Sequence, residues 1–376
     1  MAKTLEEHYG YLADHVKLER YQAAIERVVG AETVVLDLGC GSGPLGLMAL
    51  RAGARRVLFV EQDPIIEVAR RTITDAGFAD RAEFIQRNSF ELSLKDPVDV
   101  VVCDHIGYFG FDYGVLALLA DARQRFLQPD GIIMPAGMNL RLAPVESKNC
   151  RQLVAQWHDG SVPEEFDWLA GCAANTLHPV KLGEDELLAD AAALATLQLG
   201  DEAPPYLSWS AEFRCRRDGM LDGLVGWFDC RLVDVIRMTN SPLSGESLNR
   251  PQAYLPLKEP VTVSEGDRIG AAVMARHLDG VIAWVVELPE SNTRFAHSTF
   301  NGLLLDQEAL TRAHPDRIAL LNERGRARQI VLSYCDGKRS VAEVEALVRR
   351  EQPDLFPSAS ATSSFIRQVL AWDTSE

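Results

Sequence analysis

The sequence predicts an α/β domain built on a parallel sheet, then an antiparallel β domain, then a small C-terminal unit. Three observations carry this reading. Up to about residue 140, short apolar strands alternate with helical segments. From Tyr206 to about Leu288 the segments are short and β-rich. After Gly302, helical periodicity returns. Alternating strands and helices imply right-handed crossovers and a parallel sheet. Closely spaced β segments imply an antiparallel sheet or barrel. The domain boundaries expected from these shifts are 1–140, 141–300 and 301–376.

The elements follow in chain order. Residues 1–30 read as helical: Leu12, Val16, Tyr21, Ile25 and Val28 recur near helical spacing, and Gly30 closes the run. Thr33 to Leu38 is a strand, Pro44 to Ala52 a helix ended by Gly53, and Arg56 to Val60 a second strand. Pro64 to Ala76 is a helix, and Ala82 to Gln86 and Val98 to Cys103 are strands. Leu116 to Phe126 is a helix and Gly131 to Pro135 a further strand. Residues 150–200 include an Ala- and Leu-rich stretch with helical periodicity. Ser208 to Arg214, Gly226 to Val235 and Val281 to Glu287 read as strands. In the last unit Arg326 to Tyr334 and Ser340 to Arg350 read as helices, the second opening on a Ser340/Glu343 capping box. Pro353 to Ser364 reads as a loop and Phe365 to Ala371 as a final helix.

Composition narrows the class. Of 376 residues, 47% are hydrophobic and 24% charged, the balance of a globular protein in water. No apolar run is long enough to span a bilayer, and the N-terminus lacks an apolar signal core, so a cytoplasmic location is expected. Seven cysteines without a CxxC pair argue against a zinc site or a disulfide framework. No metal is expected. The net charge of -16 argues against non-specific nucleic-acid binding. It suits a cationic substrate, although an acidic surface commonly serves solubility alone.

The segment Asp37-Leu38-Gly39-Cys40-Gly41-Ser42-Gly43 follows a strand and opens a helix. Glycines at 39, 41 and 43 allow a tight turn and a close backbone approach to a ligand. Glu61, followed by Gln62, ends the next strand, where an acidic residue can accept hydrogen bonds from ribose hydroxyls. This order resembles the class I methyltransferases. The resemblance implies S-adenosylmethionine as methyl donor, held by Asp37, Gly39, Gly41, Gly43, Glu61 and Gln62. It also places Ser89 and Phe90, after the third strand, near the adenine. Cys40 has no ligating partner nearby in sequence and reads as a packing residue.

Residues 5–300 are similar to the protein arginine methyltransferases. The N-terminal segment His8, Tyr11-Leu12-Ala13-Asp14-His15-Val16-Lys17 and Tyr21 resembles that family's His-x-x-Met-Leu-x-Asp-x-x-Arg-x-x-x-Tyr helix. Tyr11 stands for the Met and Lys17 for the Arg that holds the donor carboxylate. Lys17 keeps the charge but lacks the bidentate fork. Leu127 to Pro135 is similar to the family's Leu-x-Pro-x-Gly-x-x-x-Pro signature. Glu165-Phe166-Asp167-Trp168 resembles the start of its dimerisation arm, and Trp227-Phe228-Asp229 with Thr239-Asn240-Ser241-Pro242 its β-barrel. The resemblance implies a Rossmann-like domain, a barrel with a helical arm, and a homodimer.

The departures fall on the acceptor side. In the family, two glutamates clamp the substrate guanidinium. Here Asp104 takes the place of the first and Tyr113 of the second, with Asp112 one residue earlier. The family's Thr-His-Trp loop reads Leu248-Asn249-Arg250. The clamp is therefore incomplete, and the acceptor stays open between an amine and a guanidinium. Asp104, His105 and Tyr113 are the expected catalytic residues. Tyr11, Tyr108 and Asp112 are expected to line the substrate pocket.

Leu321-Asn322-Glu323 and Ile330 to Val341 resemble the small winged-helix peptide-binding domain of ribosomal-peptide modification systems, a RiPP recognition element. Such a domain takes a leader peptide as an added edge strand. On that resemblance the expected activity is N-methylation of a ribosomally made precursor peptide at a side-chain nitrogen. The alternatives are a small-molecule N- or O-methyltransferase, acting for example on free arginine, or a donor-binding scaffold.

Overall fold

The chain opens with two helices, α1 (Ala2–Leu12) and α2 (His15–Val28), in a computed structural model that describes residues 2–356 and 358–374. The single helix expected over residues 1–30 is broken at Asp14. Its carboxylate accepts from the Lys17 backbone N–H and so caps α2. A carboxylate at this position satisfies an amide that helix geometry leaves free.

Next come β1 (Val34–Leu38), α3 (Pro44–Arg51), β2 (Arg56–Glu61), α4 (Ile66–Asp75), β3 (Ala82–Gln86), β4 (Val98–Val102), α5 (Val115–Arg125) and β5 (Leu127–Met134). The five strands form one parallel sheet in the order β3-β2-β1-β4-β5. Val35, Leu36, Val57, Phe59, Val101 and Val102 are buried, because both faces of such a sheet are covered. The chain runs outward in one direction from β1 to β3, then returns to the other side of β1 as β4. At such a switch point the loops that follow the two strands diverge and leave a crevice at their carboxyl ends. The register pairs Asp37 with Val102. The glycine loop after β1 and Asp104 after β4 therefore flank the same crevice.

The chain continues with β6 (Gly137–Val145), α6 (Lys148–Ala155), α7 (Leu169–Ala173), β7 (His178–Val180), β8 (Ala192–Gln198), β9 (Leu207–Arg214), β10 (Gly219–Val233), β11 (Ile236–Thr239), β12 (Gln252–Val263), β13 (Arg268–Arg276), β14 (Val281–Leu288) and β15 (Thr293–Ser298). They build two antiparallel sheets. One has the order β7-β12-β10-β6-β8, with β11 on β10, and the other the order β15-β14-β13-β9. The Ala-rich stretch that reads as helical is in part β8, paired with β6 from Gly137↔Gln198 to Leu142↔Ala192. Alanine favours helix only weakly, and pairing with a buried strand overrides it. One hydrophobic core runs through the parallel sheet and the antiparallel strands, including Phe59, Val101, Phe109, Phe228 and Trp284.

Two units emerge, Met1–Leu303 and Leu304–Glu376. The second consists of α8 (Gln307–Ala313), α9 (Glu323–Ser333), α10 (Val341–Glu351) and α11 (Ala359–Asp373). Ala327, Val331, Val344, Val348, Phe365, Ile366, Val369 and Leu370 form its core. Asn322 caps α9, and the Ser340/Glu343 capping box opens α10 as its spacing predicts. The expected loop at Pro353 to Ser364 is shorter than that, because Ser358 caps α11 (Pro357, within that stretch, lies outside the described residues). Residues 304–374 contain no strand among the described residues. The α+β winged-helix expectation is thus corrected to a helical unit. Its described residues offer no sheet edge onto which a peptide could add as a strand.

Candidate active site

A cleft of about 480 Å³ opens at the carboxyl ends of β1 and β4. Its walls come from α1, α2, the glycine loop, the β4–α5 loop and the segment 249–251 that precedes β12. The volume falls in the range of small-ligand sites.

The glycine loop shapes one wall. Gly39 (φ 71°), Gly41 (φ 52°) and Gly43 (φ 81°) are all left-handed, which L side chains rarely adopt. A Cβ on Gly39 would meet only open space, so the backbone there is bare toward the cleft. Gly43 differs, because a Cβ there would lie 2.8 Å from Ala69 Cβ; this glycine serves helix–sheet packing and is not part of the cleft wall. Asp37 is buried, and its Oδ2 accepts from the Gly46 N–H at 2.7 Å, bracing the start of α3. Burial pushes its carboxyl up to about 7, against the pull of the Gly46 bond. Glu61 accepts from the Gly41 and Asp63 amides at 3.1 and 3.0 Å. A carboxylate oxygen has more than one acceptor site, so ribose hydroxyls can share these oxygens. Cys40 is buried, and burial raises its thiol so far that no thiolate forms, in keeping with a packing role.

The sequence places Gln62, Ser89 and Phe90 at the donor, but they lie outside the cleft walls. Ser89–Glu91 is a short 3-10 turn, with the Ser89 carbonyl tied to Arg125 at 2.7 Å. Phe90 is 56% exposed. The Gln62 side chain faces the Asn88 amide at 3.4 Å.

The opposite wall is charged. Lys17 is almost fully buried, and its Nζ lies 2.7 Å from Asp104 Oδ2. Arg250 donates from Nη1 to the Ile106 carbonyl at 2.5 Å, and its Nη2 lies 3.4 Å from both Asp104 oxygens. The Tyr21 hydroxyl donates to the Cys103 carbonyl at 2.8 Å and sits 3.5 Å from Asp104 Oδ1. Asp14 takes a second amide, from Asn249, at 3.0 Å, which fixes the barrel-side segment against α2. Lys17 therefore lines the cleft already paired with Asp104.

The aromatic rim is also in place. Tyr108 and Tyr113 meet at 5.5 Å between ring centroids, and His105 lies 6.0 Å from Tyr113. Burial and then Tyr108 raise the Tyr113 phenol above its usual range, so it is a neutral donor and acceptor. The Tyr11 ring lies 5.0 Å from Lys17 Nζ. Its phenol, which donates to Glu7 at 3.0 Å, is pushed up to about 12 by burial and then by that carboxylate.

Asp112, an expected pocket residue, turns to its own loop. Its two oxygens accept from the Tyr108 and Phe109 amides at 3.1 and 2.8 Å, and it is absent from the cleft walls. It braces its own loop. The fully buried Asn240 enters the sequence reading only as part of the barrel-like segment Thr239-Asn240-Ser241-Pro242. It donates to the Tyr108 and Pro251 carbonyls, both at 2.8 Å, and accepts from the Phe228 amide. It ties the β4–α5 loop to the antiparallel sheet.

Residues 21–176 match the family described as ribosomal protein L11 methyltransferase (PrmA). An arginine N(omega)-methyltransferase from Streptomyces achromogenes subsp. streptozoticus is 30% identical over 269 residues, 70% of this chain and 74% of that one. Protein arginine N-methyltransferase PRMT10 from Oryza sativa subsp. japonica is 26% identical over 296 residues, covering 69% of this chain and 77% of its own. Among solved structures, the Trypanosoma brucei PRMT1 enzyme-prozyme heterotetrameric complex with AdoHcy superposes with a TM-score of 0.69 at 21% identity, over 77% of this chain and 96% of that chain. Arabidopsis thaliana protein arginine methyltransferase 10 gives 0.66 at 20% identity, over 78% of this chain and 98% of its own.

Fold and cleft define a class I S-adenosylmethionine-dependent methyltransferase. Within that class the chain belongs to the arginine methyltransferase family of N-methyltransferases.

Proposed function

We propose that this enzyme N-methylates a small free molecule of the guanidine or amine class, free arginine being the first candidate. The observation that carries the reading is Asp104. Of the acidic side chains in the cleft walls, Asp14, Asp37 and Glu61 are occupied by backbone amides and Glu7 by the Tyr11 hydroxyl. Both Asp104 oxygens instead face side-chain cations. A cationic acceptor group can take the place of those partners. The named activity of the Streptomyces relative supports the choice of arginine. The absence of a strand among the described residues of the C-terminal unit removes the argument for edge-strand peptide capture.

S-adenosylmethionine supplies an electrophilic methyl group on a sulfonium. The bare glycine backbone would approach it closely, and Glu61 would hold its ribose. Lys17 would share its charge between Asp104 and the donor carboxylate. On the other side, Asp104 orients the acceptor nitrogen and takes the proton that this nitrogen must lose as its new N–C bond forms; the methyl–sulfur bond would break in the same step, its electron pair staying on sulfur in the departing AdoHcy. Tyr108, Tyr113 and Tyr11 surround the acceptor and narrow its approach. His105 lies exposed at the rim of the same cleft. A dimer belongs to this reading: the helical arm carries exposed Phe166 and Trp168, 49% and 59% accessible, and light scattering on the purified chain tests it.

The test is AdoHcy release with a panel of free guanidines and amines beside an arginine-containing peptide. Turnover is expected with free guanidines or amines. Turnover with the peptide alone would refute the reading.

A further inference from the structure

We propose that Arg250 is the anchor for a carboxylate on the acceptor, so that the substrate is an amino-acid-like molecule with a free carboxylate. This rests on the small-acceptor reading above and adds to it the group that tells one small acceptor from another.

Arg250 belongs to the Leu248-Asn249-Arg250 segment, where the sequence departs from the family's Thr-His-Trp loop. It lines the cleft on the side of Tyr11, Ile106 and Asp104, with its side chain 10% exposed. A planar guanidinium carries five N–H donors. One goes to the Ile106 carbonyl, and Nη2 makes only long contacts, 3.4 Å, with Asp104. Nε has no partner among the described residues. Two buried cations, Lys17 and Arg250, thus share one side-chain carboxylate. The next nearest acid, Asp14, is already occupied by the amides of Lys17 and Asn249. Asp112, also within reach of the Arg250 charge, is held by two amides of its own loop. The cation therefore has donors to spare and no anion of its own.

A lone cationic acceptor group would gain from Asp104 and lose to Arg250. An acceptor with a positive nitrogen at one end and a carboxylate at the other satisfies both. Its nitrogen rests on Asp104, and its carboxylate takes the Nε–Nη2 edge of the Arg250 fork, where Nε has no partner among the described residues and Nη2 gives up only its long contacts. Arg–carboxylate pairing is bidentate and stronger than a neutral hydrogen bond. An arginine inside a polypeptide has no such carboxylate, so the same fork disfavours peptide substrates.

The test compares kcat/KM for arginine, for argininamide and for agmatine, which lack the anionic carboxylate. The wild type is expected to prefer arginine by roughly 10- to 100-fold, the range of one charged hydrogen-bonded contact. In Arg250→Met the preference is expected to vanish, by loss on arginine and by gain on agmatine and argininamide as the opposing charge goes, with AdoHcy affinity kept, and Arg250→Lys is expected to keep part of it. Equal turnover of all three by the wild type would overturn the proposal and leave the small-acceptor reading standing. A preserved preference in Arg250→Met with weakened AdoHcy binding would assign the fork to the donor and also overturn it. If none of the three is methylated, arginine falls as the candidate and this inference falls with it. Should both variants misfold, the wild-type series decides alone.

Discussion

Asp104 carries a charge that two buried cations and the acceptor compete for, so its removal should act on chemistry and on stability by separate routes. Asp104→Asn is expected to lower kcat by roughly 10²- to 10⁴-fold, the span of general-base effects. It also leaves Lys17 and Arg250 without their shared anion, which is costly in a buried site. A fall in kcat and in melting temperature beside near-normal AdoHcy affinity by calorimetry would show both effects; unchanged kcat would remove the carboxylate from the reaction. Asp37 gives a pH signature. Its folded value is raised to about 7 from an ordinary 3.8, so folding favours its neutral form. The stability it contributes is full below pH 3.8 and is lost as pH rises through about 7. Asp37→Asn keeps an oxygen for the Gly46 amide and cannot ionise. Relative to the wild type, its melting temperature is expected to improve steadily across that interval. A constant difference between the two proteins would contradict the assignment.

The loop between β1 and α3 depends on a backbone that only glycine adopts readily. Gly43→Ala would place a Cβ 2.8 Å from Ala69 Cβ at a φ of 81°. The expected cost is about 1–3 kcal/mol of stability, with weaker AdoHcy binding because the loop must shift; denaturant melts and calorimetry check both. Elements of this kind were legible in the sequence because their signals are local. β1 to β4 fall within a residue or two of their predicted bounds, and so do α3 and the capping box of α10. The misreadings have a common cause. β8 is alanine-rich but pairs with β6, and the N-terminal helix breaks where Asp14 finds both the Lys17 and the Asn249 amides. In each case a partner distant in sequence decides the local structure.

The same distance limits what the sequence says of the site. The glycine loop, Glu61 and Asp104 announce themselves by their place at strand ends. Arg250 and Asn240 act on the β4–α5 loop from 146 and 132 positions away, and only the folded chain brings them there. Asp112, Gln62, Ser89 and Phe90 are themselves expected at the site, and in the fold their groups turn to the loop or to the surface. The cleft lies wholly within Met1–Leu303. A chain ending at Leu303 is therefore expected to methylate a free acceptor at a rate near that of the full chain, measured by AdoHcy release. Loss of turnover with the truncated chain folded would return the C-terminal unit to the mechanism. The most direct test of the central claim is mass spectrometry of the full chain incubated with S-adenosylmethionine, L-arginine and a peptide with an internal arginine in one reaction. The account expects N-methylated free arginine with the peptide unchanged; a methylated peptide beside unmodified arginine would contradict it.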